Sequence, residues 1–360
     1  MLNEGPPEEP KLFLSLMKLQ ACSGREILPT RSRVFQSAMN DFLDRFSPHL
    51  KGIDDALNQS LGARVPVVTD IVRYALLGAG KRIRPLLFVL SSRLCGYKGN
   101  DVYRLSTLFE YVHAASLLHD DVLDNADLRR SKPSVRQVWG NSPAVLGGDF
   151  LYSAASAIAV ECKKLELIGL LSDVLKRMVE GQFLELEHTH NWEITKAEYI
   201  EIITAKTATL MGAACTSGAM IAGADEKTIH HLGEFGLNLG IAFQLMDDLL
   251  DYTSSEAVFG KPVGKDLKEG KITLPLVYFV SELEKGEVER LTALFKSQEA
   301  NDQDYEDLLL RVRTHGAIER VRSEASEYVA RAGEMLALFP DSPVKRGLIE
   351  LGAYILTRRH

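Results

Sequence analysis

Two short acidic patterns carry the first chemical signal. Asp120-Asp121-Val122-Leu123-Asp124 and Asp247-Asp248-Leu249-Leu250-Asp251 both read DDxxD. On a helix, positions i and i+4 share a face, so Asp120 lies above Asp124 and Asp247 above Asp251. Like charges at that spacing destabilise an isolated helix. Each triplet also follows an apolar run, Ala114–Leu118 and Ile241–Met246, where a carboxylate is costly unless something neutralises it. Hard divalent cations take several carboxylate oxygens together with water and substrate phosphates, which is the usual way magnesium is held. Two facing helices of this kind would cage a metal–diphosphate complex. The alternative is a solvated acidic face. With 21 aspartates in 360 residues, random placement gives such a pattern about 0.07 times per chain, so two copies argue against it.

Cations suited to phosphate lie near both triplets. Arg129 and Arg130 follow the first. Gly80-Lys81-Arg82-Ile83-Arg84-Pro85 precedes it. Lys206-Thr207 and the stretch Gly260-Lys261-Pro262-Val263-Gly264-Lys265, ending at Lys271, flank the second. Arginine forks match phosphate oxygens in pairs, and lysine acts as a point charge. No GxxxxGK[ST] spacing occurs, so Gly-Lys here is not a P-loop. Any one of these clusters alone reads as surface charge; their conjunction with two Asp triplets does not. His113 lies two helical turns before Asp120 on a similar face. His119 is expected to be structural, and His188 and His190, which diverge on a helix, are not read as a metal site.

The elements that must carry these residues are helices. No proline occurs between Pro143 and Pro262, and apolar residues recur at three- and four-residue spacing, as in Leu165, Ile168, Leu171, Leu175 and Met178. Asp225 after Gly223 offers a helix N-cap. Hairpin signals and a βαβ rhythm are both missing from the pattern. The expectation is an all-α fold, one large multi-helix domain over residues 31–360, preceded by a poorly ordered, Pro-rich leader at 1–30.

Composition narrows the function. The formal net charge of -7, with 46% hydrophobic and 25% charged residues, is that of an ordinary globular protein and argues against nucleic-acid binding. Four dispersed cysteines with no CxxC spacing make a disulfide framework or zinc site unexpected and suit a reducing cytoplasm. No run is expected to span a membrane, and the N-terminus lacks the character of a signal peptide.

The sequence resembles the trans-isoprenyl diphosphate synthases, most closely the long-chain polyprenyl (octaprenyl/decaprenyl-type) members. The shared stretches are GKRIRP at 80–85, HAASLLHDDVLD at 113–124, RR at 129–130, GDFL at 148–151, KT at 206–207, FQLMDDLLD at 243–251 and GKDLKEGKITLP at 264–275. The resemblance implies an isoprenoid-synthase fold with a central active-site cavity. It also implies Mg2+, for which Mn2+ can substitute, and a homodimer. Lys81, Arg84, His113 and Arg130 resemble the anchors of isopentenyl diphosphate. Asp120, Asp121, Asp124, Asp247, Asp248 and Asp251 resemble metal ligands. Arg129, Lys206, Thr207, Gln244, Lys261 and Lys271 resemble contacts to the allylic diphosphate, with Lys265 a weaker candidate. The catalytic set is then the Asp residues 120, 121, 124, 247 and 248 with Lys206. Ala79 and Ser131 stand where the family has Gly, which implies adjusted loops.

The implied reaction condenses isopentenyl diphosphate with an allylic diphosphate, farnesyl or geranylgeranyl, to a trans polyprenyl diphosphate of about C30–C50 (each condensation adds one isoprene unit, close to one helical turn in length). Ala115 and Ser116 are small and lie one turn below Asp120. They leave room for a growing chain past Val112 toward Phe109, and Ser153–Ala157 is a candidate opposite wall. A short-chain synthase, a terpene cyclase and a non-catalytic helical subunit are the alternatives. The basic set with a second Asp triplet favours condensation over cyclisation.

Overall fold

The computed structural model describes residues 29–60, 62–77, 80–130, 132–253, 264–297 and 299–357, with side chains from Arg45 onward. The expected leader, apart from its last two residues, and Lys261 lie outside the described residues. The chain divides into two compact units, 1–45 and 46–360. The described part of the first is helical backbone from Pro29.

The described chain is helical almost throughout. Helix α1 runs Pro29–Ser60, α2 Pro66–Leu76, α3 Ile83–Leu94 and α4 Val102–Leu123. After a two-residue ladder come α5 (Val135–Trp139), α6 (Asn141–Glu161), α7 (Leu165–Glu187), α8 (Lys196–Ile203), α9 (Thr209–Ile221) and α10 (Glu226–Thr253). The remainder is α11 (Lys265–Lys268), α12 (Leu274–Ser281), α13 (Lys285–Lys296), α14 (Asp302–Thr314), α15 (Ala317–Met335) and α16 (Pro343–Thr357).

Helix α10 is central. It packs against α9 on one side and α15 on another, while α4 packs against α6 and α3. Small residues set these approaches: a Cβ on Gly236 would stand 2.5 Å from the Met211 carbonyl, and one on Gly218 2.5 Å from that of Phe88. Leu232, Phe235, Leu239, Ala242 and Leu245 fill the centre with almost no exposed surface, the burial that drives such a fold. The cap expected at Asp225 forms, its carboxylate accepting from the Thr228 amide at 2.7 Å.

Three expectations need correction. Along α7 the buried stripe is Leu167, Leu171, Val174 and Met178, whereas Leu165 is 81% exposed; the three- and four-residue spacing was right but its phase was displaced. A small antiparallel ladder, Leu128–Arg129 with Lys132–Pro133, does form, in a segment without the usual hairpin residues. Helix α6 is long and apolar enough by length and composition to cross a membrane, although its Gly147, Gly148, Leu151, Ala155 and Ala159 face is buried within the fold.

Candidate active site

Both aspartate triplets sit at helix C-termini. Asp120 and Asp121 occupy the last turn of α4 and Asp124 caps it; Asp247, Asp248 and Asp251 fill the last turns of α10. The partial negative charge of a helix C-terminus disfavours carboxylates, so the placement costs energy that a cation would relieve. Burial is the leading cause of raised carboxyl pKa values at Asp120, Asp121 and Asp251, and it takes Asp248 up to about 7. An all-oxygen set under such stress fits a hard divalent cation. Among the described residues no three of these side chains gather closely enough to hold an ion unaided; lysines and arginines stand among the carboxylates instead.

Those cations are paired with acids around the two helix ends. Lys271 Nζ lies 3.3 Å from Asp124 and 2.8 Å from Glu269. Burial works against its charge, but Glu185, Asp124 and Glu269 more than offset this and raise its pKa. Lys206 pairs with Glu185 at 2.5 Å, and both bear on Asp120. Arg129 Nε donates to Asp121 at 2.6 Å. Thr207 Oγ1 donates to Gln244 at 3.1 Å, and Gln244 Nε2 in turn donates to Asp248 at 2.7 Å. Lys265 pairs with Glu269 at 2.9 Å.

The Lys206-Thr207 pair projects from a π-helical turn, Thr204–Ala208, inserted between α8 and α9. Such widened turns cost backbone geometry and cluster at functional sites. Gly181 and Gly240 make room for it: a Cβ on either would stand 2.8 Å or less from the backbone or side chain of residues 205–208.

A second cationic group lies beside the first triplet. Lys81 is exposed, its ammonium 5.7 Å from the Tyr354 ring centre. Arg84 Nε is buried and has no hydrogen-bond partner among the described residues. Burial takes this guanidinium down to about 10, against the opposing pull of Glu110 and Asp247. His113 has its pKa lowered well below the usual value, first by burial and then by Arg84, Arg130, Arg129 and Arg82. Arg130 adopts φ 51 at the tip of the ladder, which carries Arg129 and Arg130 back toward α4.

Asp251 is used in a way the motif did not suggest. Its two oxygens accept from the backbone amides of Lys265 (3.1 Å) and Asp266 (3.0 Å), so it caps α11. One partly accessible stripe of α4 runs through Asp120, Leu117, Ser116 and His113 and continues to the C-cap Asp124, whereas Ala115 and Val112 have no exposed surface. Ser116 thus lies one turn below Asp120 on the open stripe; Ala115 and Val112 are core positions, which corrects their expected place in a channel wall. Ser153, Ser156 and Ala157 on α6 are exposed.

Several residues of the site carried no motif. Glu185, Tyr199 and Glu110 come from three different helices. Tyr199 Oη donates to Asp248 at 2.5 Å, and Asp266 is pushed far up by burial and by Asp251 and Asp248. The only available signal was an acid or hydroxyl on a helix face otherwise apolar. Three further histidines make local bonds: His119 to the Val145 carbonyl at 3.0 Å, His188 to Asn191, and the His190 amide to the Gly270 carbonyl.

Two acidic helix ends flanked by lysines, with a separate arginine–histidine cluster alongside, make a site suited to two anionic substrates in a nearly all-helical protein. The chain belongs to the Polyprenyl synthetase family, whose pattern matches residues 65–311. It is a trans-prenyl diphosphate synthase, an enzyme that transfers prenyl groups. It is 35% identical to octaprenyl diphosphate synthase of Escherichia coli (strain K12), covering 86% of this chain and 95% of that protein. It is 32% identical to geranylgeranyl diphosphate synthase of Methanosarcina mazei, covering 88% and 98%. Among solved structures, the Caulobacter crescentus polyprenyl synthase complexed with calcium and isoprenyl diphosphate matches with TM-score 0.84 at 33% identity, covering 89% of this chain and 98% of that one.

Proposed function

We propose that this enzyme condenses isopentenyl diphosphate with farnesyl or geranylgeranyl diphosphate into a trans polyprenyl diphosphate of about C30–C50, through successive additions that follow the open stripe on α4. The observation that carries the length is Ser116, a small, half-buried residue one turn beneath Asp120, where a ring would block a growing chain. The relatives bear both octaprenyl and geranylgeranyl names, so length must rest on this chain's own residues.

Asp120, Asp121, Asp124, Asp247 and Asp248 would hold Mg2+, with Mn2+ as a substitute. The cation supplies neutralisation of the diphosphate charge. Lys206, Lys271 and Arg129 exchange their carboxylate partners for oxygens of the allylic diphosphate, with Thr207 and Gln244 fixing its orientation. As the allylic C–O bond breaks, its electron pair leaves with the diphosphate, and these preorganised cations stabilise the developing charge. Lys81, Arg84, His113 and Arg130 hold isopentenyl diphosphate so that its double bond attacks the allylic carbon. One proton is then lost to the departing diphosphate. Incubation with radiolabelled isopentenyl diphosphate, farnesyl diphosphate and Mg2+ should give products longer than C20; a product stopping at C20 overturns the length assignment.

A second copy of the chain is proposed to cover the outer face of α6 and α7. Leu146 (65% exposed), Val160, Leu165, Val179 and Phe183 (63% exposed) lie on these two neighbouring helices, an apolar face of the kind that marks association. Phe183→Asp should shift the molecular mass in solution toward that of one chain, measured by light scattering.

A further inference from the structure

Arg82 sits between two residues assigned to isopentenyl diphosphate, Lys81 and Arg84, yet points away from them. Its backbone is left-handed, φ 51 and ψ 33, a conformation unfavourable for a side chain with a Cβ. Only 6% of the side chain is exposed. Nε donates to Asp54 at 2.9 Å, Nη1 to Glu110 at 2.7 Å and Nη2 to the Leu76 carbonyl at 2.7 Å. One guanidinium therefore fastens the 80–84 segment to α1, to α4 and to the end of α2. A buried ion pair is weak evidence for stability, since desolvation offsets much of its attraction; its distinctive contribution is fixed geometry.

Glu110 is the other half. It is 5% exposed and lies three residues before His113 on α4. Besides its bond to Arg82, its negative charge acts on Arg130 and, together with that of Asp247, on Arg84. Three arginines and a histidine are thus drawn together over one carboxylate. Gly80 permits the crowding: a Cβ there would stand 2.7 Å from Arg82 Nη1 and 3.2 Å from Arg130 Nη1.

We propose that Arg82 and Glu110 are positioning residues for isopentenyl diphosphate, clamping the 80–84 segment to the helix of His113 and Asp120 so that Lys81, Arg84 and Arg130 face one diphosphate. The inference rests on the assignment of that substrate to this cluster. Geometry and charge make opposite forecasts here. Neutralising Glu110 makes the cluster more positive, which by electrostatics alone would tighten anion binding. Loss of the clamp weakens it.

The test is steady-state kinetics of Glu110→Gln and Arg82→Lys, with folding checked by thermal unfolding. Each variant should raise KM for isopentenyl diphosphate about tenfold or more, a shift comparable to losing one charge-assisted contact, while KM for the allylic substrate stays within about twofold. A merely structural role would shift both constants together. An unchanged or lowered KM for isopentenyl diphosphate in Glu110→Gln overturns the proposal. Should that variant fail to fold, Arg82→Lys decides, because it keeps the charge but cannot span three partners; an unchanged KM there has the same consequence. Lys81→Ala and Arg84→Ala run alongside. If neither weakens isopentenyl diphosphate, the substrate assignment itself fails. If they do and the clamp variants do not, only the clamp fails.

Discussion

Lys271 Nζ stands 3.3 Å from the Asp124 carboxylate, so a residue that follows the second aspartate motif closes onto the end of the first. Residues 147 positions apart in the chain are thereby brought to one cleft. The pair also tells how the site can change on binding: a diphosphate competes with Asp124 for the ammonium, and a metal ion competes with the ammonium for Asp124.

Asp120→Ala or Asp247→Ala should lower turnover by orders of magnitude at saturating Mg2+ while helical content, read by circular dichroism, stays intact. Both side chains are accessible on the site face, so their removal leaves no core cavity. Near-normal turnover in either variant removes it from the metal cage.

The two cation groups should separate by substrate. Lys206→Ala should raise KM for the allylic substrate, and Lys81→Ala that for isopentenyl diphosphate, each by about 10- to 150-fold, the equivalent of about 1.5–3 kcal/mol for a charge-assisted bond. Equal changes in both Michaelis constants would mean that the groups serve one site.

The pH dependence is read at His113. A folded pKa well below 6.5 at His113 means that its protonated form exists only at still lower pH. The pH profile of KM for isopentenyl diphosphate should therefore keep the same shape from about pH 6 to 8.5 in the wild type and in His113→Gln. Asp248, held up at about 7 by burial, titrates inside this window in both proteins, and the comparison cancels it. A step centred near 6.5 that is present in the wild type and lost in His113→Gln would show that His113 binds as a cation.

Product length should respond to Ser116 and not in the same way to Ala115. Ser116→Phe places a ring on the open stripe and should shorten the product with condensation continuing. Ala115 has no exposed surface, so Ala115→Tyr should overpack the core, at a cost of about 1–3 kcal/mol, seen as a lower unfolding temperature. Unchanged products from active Ser116→Phe would put the chain elsewhere.

Much of this protein was legible in its residues alone. Helical spacing across a long proline-free stretch, two DDxxD patterns and their basic companions identify an all-helical diphosphate enzyme, because hydrophobic periodicity and local charge spacing are properties of neighbouring residues. The N-cap at Asp225 belongs to the same class. What needed the tertiary structure involves partners distant in the chain. The ladder that presents Arg129 and Arg130 lacks hairpin residues, and the π-helical turn beneath Lys206 follows from its packing against Gly181 and Gly240. Asp251 has the same motif position as Asp124, yet it caps α11 while Asp124 meets Lys271. Glu110 and Glu185 are ordinary helical acids by spacing; only packing puts one beneath three arginines and the other against Lys206. Ala115 and Ser116 differ by one position and about 100° around the helix, and that rotation alone sends one into the core and the other onto the open stripe.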